Sequence, residues 1–225
     1  MVMLLTGLSL GAQESPWRVG AFGMLGKSKF TFTDTPTDYT NKFAFQSGVY
    51  GQYARPKGHI AFRVGLGYSH TKGGYNGATP DINFPGLPSI SGDPYKAYFE
   101  YSHIVLPMEM LLDLGKDPAT GFYVLFGPTL QFQVKRRAER TVYYYGIPQT
   151  NDISDSADRN LDLLGEFGLG YAFSLGPGYY AFVQPMVSTN IPGNVLDFLA
   201  QEKGGAHDHI TTYVYGIAFG VSLGL

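Results

Sequence analysis

The chain has 225 residues, of which 15% are charged and 15% aromatic, with 17 Tyr, 16 Phe, a single Trp, 30 Gly and 14 Pro. The length suits one domain; few charges with abundant Tyr, Phe and Gly favour sheet over helix. A net charge of −2 offers no basic surface to a nucleic acid, and the lack of Cys excludes a disulfide scaffold, a thiolate metal site, a Cys nucleophile and a lipid-modified N-terminal Cys.

Residues 1–13 are expected to be a signal peptide. An apolar stretch ends in the small residues Gly11 and Ala12, and polar Gln13-Glu14-Ser15-Pro16 follows at once. The basic start of such a segment is missing, as it would be in a truncated leader. The stretch is too short to cross a bilayer as a helix, which needs roughly 20 apolar residues, and no later segment is long enough either. Residues 14–225 are expected to form a single barrel domain.

Alternation with a period of two then recurs along the chain. The first stretch, Trp17 to Phe32, places Trp17, Val19, Ala21 and Leu25 opposite Arg18, Gly20, Met24 and Ser28. A second, Phe43 to Ala54, precedes a tight turn at Arg55-Pro56-Lys57-Gly58. The third is unbroken: Ile60, Phe62, Val64, Leu66 and Tyr68 against Ala61, Arg63, Gly65, Gly67 and Ser69. After a loop predicted over Thr71–Lys96, the fourth sets Ile104, Leu106, Met108, Met110 and Leu112 against Val105, Pro107, Glu109, Leu111 and Asp113. The fifth, from Phe122 to Lys135, leads into a polar loop predicted over Arg136–Asn160. The sixth sets Leu163, Phe167, Leu169 and Tyr171 against Asp162, Glu166, Gly168 and Gly170. The seventh, Tyr179 to Asn190, leaves its register open, with a bulge or edge-like distortion expected at Gln184-Pro185. After a last loop, Ile191–His209, the eighth runs from Ile210 to Leu225.

Long and short connections alternate, as in an all-β, eight-stranded antiparallel up-and-down transmembrane β-barrel with both termini at one end. One face of each strand is bulky and almost uncharged; the other carries Gly, Ala, Ser, Gln and the ionisable Arg18, Arg63, Glu109, Asp113, Lys135, Asp162 and Glu166. The lumen of an eight-stranded barrel is barely wide enough for packed side chains, so the bulky face is assigned to lipid. Trp17, Tyr53, Tyr68, Tyr98, Tyr123, Tyr171 and Tyr179 are expected in interfacial girdles. Arg63, Glu109, Asp113, Asp162 and Glu166 are expected to form a structural charge network that closes the lumen, Arg63 pairing with Glu109 or Glu166.

Three segments carry a family resemblance: His103-Ile104-Val105-Leu106-Pro107-Met108-Glu109-Met110-Leu111-Leu112, then Gly121-Phe122-Tyr123-Val124-Leu125-Phe126-Gly127-Pro128, then Leu163-Leu164-Gly165-Glu166-Phe167-Gly168-Leu169-Gly170-Tyr171. In that order they resemble the PorT-like family of outer-membrane β-barrel proteins. Val105 stands where that family often has Glu, and Leu225 where it often ends in an aromatic residue. The resemblance implies a barrel in the bacterial outer membrane, and its founding member is similar to an accessory factor of a protein-secretion system.

Chemistry leaves weaker marks. His70 and His103 lie near strand ends, with Ser69, Ser102 and Asp162 as potential partners, but no spacing marks a nucleophile elbow or a triad, which only geometry decides. His207-Asp208-His209 lacks a further metal ligand. The expectation is therefore a non-enzymatic scaffold or interaction subunit without cofactor or metal, partnered by outer-membrane lipid and by other outer-membrane or secretion-complex proteins, not by nucleic acid. A lipid-modifying barrel enzyme is the first rival and requires a His with a carboxylate and a hydroxyl at one rim. A small-solute channel is the second.

Overall fold

The computed structural model describes residues 15–32, 38–54, 58–78, 94–115, 120–144, 146–152, 161–190 and 210–225. The segment read as a leader and the connection over 191–209 lie outside the described residues. The strands are β1 Trp17–Phe32, β2 Asp38–Ala54, β3 Ile60–Ala78, β4 Pro94–Asp113, β5 Gly121–Tyr144, β6 Ile147–Asp152, β7 Leu161–Gly176, β8 Tyr179–Asn190 and β9 Ile210–Gly224. All pairings are antiparallel; β1 pairs with β9 and β4 with β5, so eight strands close into a barrel. The Leu225 amide donates to the Trp17 carbonyl at 3.1 Å across the closing seam.

β6 is not a stave of the barrel. Among the described residues it pairs only with β5, from Tyr144↔Ile147 to Glu139↔Asp152, as a hairpin arm turned by Gly146 at φ 80°. Much of the loop predicted over Arg136–Asn160 is therefore strand, and β3 and β4 likewise reach into the predicted Thr71–Lys96 loop. The run Arg136-Arg137-Ala138-Glu139-Arg140 is too charged to look like a membrane strand. It stands above the lipid, where water meets its outer face and Ala138 packs inward with Phe30, Ala97 and Phe99.

The faces fall as their bulk dictates. Phe62, Val64, Leu66, Phe126 and Leu169 are exposed on the outer wall, whereas Arg63 and Glu166 are 6% and 5% exposed inside. Along β1 the outer belt runs from Trp17 to Leu25, about the 9–11 residues that a tilted transmembrane strand needs. The outward positions at that height on all eight staves bear no charged side chain. Aromatic residues rim it: Trp17 against Tyr53 and Phe122 against Tyr171 at the terminus end, with centroids 4.9 and 4.8 Å apart, and Phe43, Phe45, Tyr68, Tyr213 and Tyr215 towards the other. Two expected girdle members lie elsewhere. Tyr123 is buried in the lumen, and Tyr98 stands outside but above the belt, where its hydroxyl donates to Glu100 Oε2 at 3.1 Å.

The lumen is bulkier than small-residue packing implies, because rings alternate with glycines. Tyr50, Tyr123 and Phe182 point inward opposite Gly20, Gly170 and Gly220; a Cβ there would lie 2.6, 2.1 and 2.5 Å from the respective ring. The glycines are the space that the rings occupy.

The distortion expected at Gln184-Pro185 takes another form. β8 keeps one register with β9, from Tyr179↔Leu223 to Thr189↔Tyr213. With β7 the pairing stops after Gly168↔Met186 and resumes in the same register at Tyr171↔Val183. Pro185 supplies no amide, so the ladder has a gap, not an extra residue. An irregularity does occur on β5, where Ser102↔Lys135 is followed by His103↔Gln133. It leaves Val134 and Lys135 both exposed, so Lys135 is outside the barrel and not in the lumen as alternation alone suggests.

Candidate functional site

Two polar constellations stand out, one at mid-lumen and one on the outer wall. In the lumen, Arg63 comes from β3 and Glu109 from the paired position on β4. Arg63 Nη1 donates to Glu109 Oε2 at 3.4 Å, and its Nε and Nη2 donate to Gln52 Oε1 at 3.3 and 3.2 Å. The guanidinium lies 4.7 Å from the Tyr50 ring centroid and 4.6 Å from that of Phe182. Tyr123 closes the same level by donating from its hydroxyl to Gln184 Oε1 at 2.9 Å. Glu166 lines one cavity with Arg63, Glu109, Gln46 and Gln184.

The five residues expected as one network are thus divided. Arg63, Glu109 and Glu166 share the middle. Asp113 lies towards the terminus end, its Oδ1 accepting the Gly115 amide at 2.9 Å, and Asp162 lines the opposite mouth with Arg136 and His103. A buried charge without a partner is costly, and the Arg63 cluster satisfies its cation with a carboxylate, an amide oxygen and two rings. Together these side chains occupy the middle of the lumen.

The outer-wall constellation stands just above Tyr68. His70 on β3 and Ser102 on β4 are paired across the ladder, and both face outward. His70 Nδ1 is 3.1 Å from Ser102 Oγ, and its Nε2 is 3.5 Å from Glu100 Oε1. Glu100 precedes Ser102 by two residues, so the period of a strand puts both on one face. Lys72 Nζ reaches the second Glu100 oxygen at 3.9 Å. On the far side of β4, Lys135 pairs opposite Ser102 through the irregularity described above. Below, the His70 ring lies 5.5 Å from Phe45, which is 5.9 Å from Tyr68.

Burial is the largest influence on His70 and holds it below its ordinary value; Glu100 opposes that, while Lys72 and Lys135 reinforce it. The imidazole is therefore neutral at pH 7, with one nitrogen free to accept a proton and the other to donate.

Of the residues singled out for chemistry, His70 and Ser102 come together. His103 and Ser69 instead face into the lumen, paired with each other across the ladder and nearly buried. Glu100 was missed, although its spacing from Ser102 was readable. His207-Asp208-His209 lies outside the described residues, and among those described no group of three or more potential ligands could hold a metal.

No family model matches the chain, and no curated protein is similar to it in sequence. Solved structures with a related outline include Neisserial surface protein A at 12% identity and a TM-score of 0.39, covering 94% of this chain and 98% of that one. Ail, the attachment invasion locus protein of Yersinia pestis, is 8% identical with a TM-score of 0.37, covering 92% and 98%. The outer membrane protein OprG of Pseudomonas aeruginosa is 14% identical with a TM-score of 0.31, covering 94% and 98%. Scores this low carry no argument, and the assignment stands on the molecule's own surface. With a closed ladder that leaves no unpaired edge among its eight staves and an uncharged apolar belt rimmed by aromatic rings, the chain is an integral β-barrel of the bacterial outer membrane.

Proposed function

We propose that the protein is a closed, non-conducting barrel that anchors an interaction surface at its loop end, within a larger outer-membrane or secretion assembly. The observation that carries the reading is the crowding at mid-lumen, where Arg63 reaches Glu109, Gln52 and the rings of Tyr50 and Phe182, and Tyr123 reaches Gln184. A bore so filled passes no solute, so the working surface must be outside it. β5 and β6 project beyond the staves on one side, and every residue of β6 is exposed. The likeness of the three strand segments to PorT-like proteins favours an accessory role over transport.

Two measurements test this. Reconstituted protein in a planar bilayer is expected to give no stepwise conductance; discrete steps would replace this reading with the channel. The chain has no Cys, so Asn151→Cys in β6 introduces a unique attachment point for a crosslinker in intact cells. One dominant protein adduct is expected. Recovery of the uncrosslinked barrel alone would remove the interaction role.

A further inference from the structure

We propose that Ser102, His70 and Glu100 form a hydrolytic site on the outer wall, acting on the carboxylic ester of a membrane lipid whose acyl chain lies against the apolar belt. This goes beyond the anchoring role and depends on neither a partner nor an open bore.

The arrangement supplies the parts of acyl transfer by a serine nucleophile. Ser102 Oγ lies 3.1 Å from His70 Nδ1, within reach for proton transfer. The other ring nitrogen faces Glu100 at 3.5 Å, a contact that orients the ring and stabilises the imidazolium formed in the reaction. Such contacts are often long without substrate and tighten when it binds. Lys72, two residues along β3 from His70, and Lys135, opposite Ser102 on β5, bring two ammonium groups near the pair that can stabilise a developing oxyanion.

Position identifies the substrate. Tyr68 lies beneath His70 on β3 and Phe45 beside it on β2, and Val64 and Leu66 continue the belt below Tyr68. The boundary between apolar belt and charged wall is the depth at which a lipid's ester carbonyls sit, between acyl chain and headgroup. A soluble ester has no reason to use this site, whereas a lipid is delivered to it by the membrane.

The chemistry balances without a further reagent except water. Ser102 Oγ attacks the ester carbonyl carbon as its proton passes to His70 Nδ1. The tetrahedral adduct expels the lipid alcohol, which takes that proton, and leaves acyl-Ser102. Water then attacks the acyl carbon, giving its proton to His70; the free fatty acid departs as the Ser102 oxygen takes the proton back. Ser102 is 3% exposed, so an ester reaches it only when the side chains around it swing aside.

The test uses the full chain reconstituted in phosphatidylethanolamine vesicles, with released fatty acid as the readout and a fluorophosphonate as the covalent probe. Release is expected from the parent protein, with the probe's mass located on the peptide that contains Ser102. Ser102→Ala should abolish both, and His70→Gln should lower release by about 10²–10⁴-fold. Glu100 is a positioning residue: Glu100→Gln should slow release and shift its pH profile, whereas Glu100→Asp should restore part of the rate. Heat-modified gel mobility shows whether each variant is a folded barrel. The proposal is overturned if the folded parent releases no fatty acid and Ser102 stays unlabelled, or if folded Ser102→Ala retains the parent rate. These outcomes are independent of the conductance and crosslinking results.

Discussion

The barrel carries two carboxylate–cation clusters on the same pair of strands, and their surroundings give them opposite uses. Arg63 and Glu109 lie inside, 6% and 8% exposed, at mid-membrane height. His70, Lys72 and Glu100 lie on the outer wall at the upper edge of the apolar belt, partly open to solvent. Inside, charge must be matched because little else solvates it, which favours a structural role for the cluster. Outside, water shares the work, so side chains there can change partners and protonation, which catalysis requires. The lesson is that burial, not residue type, decides whether a charged group is cement or chemistry.

The sharpest way to break the comparison is to remove one inner partner. Glu109→Ala leaves Arg63 buried without its ion-pair partner, and should cost about 3–5 kcal/mol in urea unfolding from vesicles. Adding Arg63→Met, an apolar chain of similar reach, should restore most of that loss. If Glu109→Ala alone were neutral, the inner cluster would not be holding the barrel together.

Next in size is a charge on the wrong wall. Leu66→Arg, on the belt and 55% exposed, should cost about 2–4 kcal/mol or block assembly. The lumen counterpart, Gly65→Ser, looks harmless in the sequence. In the fold its added Cβ would meet Pro107 Cγ at 2.9 Å, so overpacking should cost about 1–3 kcal/mol. A Leu66→Arg protein as stable as the parent would place that face in water.

These cases mark what was legible. The alternation of Phe62, Val64 and Leu66 against Arg63 and Gly65 gave strand, face and membrane, because lipid imposes its pattern on every residue it touches. Above the belt that pressure stops, and Arg136 to Tyr144 pairs as strand with no apolar stripe to betray it. Period-two parity also fails wherever a residue is inserted, and one irregularity carried Lys135 from the predicted lumen to the outer wall. The outer cluster was half visible: His70 and Ser102 were named, but their contact depends on the register between β3 and β4. No single strand encodes register. The glycines facing Tyr50 and Tyr123 were read as small lining, since a glycine does not announce the ring that fills its place.

The smallest effect separates the two clusters most cleanly. Lys72→Gln removes an ion pair whose lysine side chain is 35% exposed, with Nζ 3.9 Å from Glu100 Oε2. It should change stability by less than about 1 kcal/mol. The difference from the parent should shrink further in high salt, because solvent ions screen such a contact. The cost of Glu109→Ala should be unmoved by the same salt if the lumen is plugged as proposed. Parallel unfolding curves at low and high salt read both at once. If the Glu109→Ala cost fell with salt, electrolyte would be entering the lumen, and the plug and the closed-barrel reading would fall together.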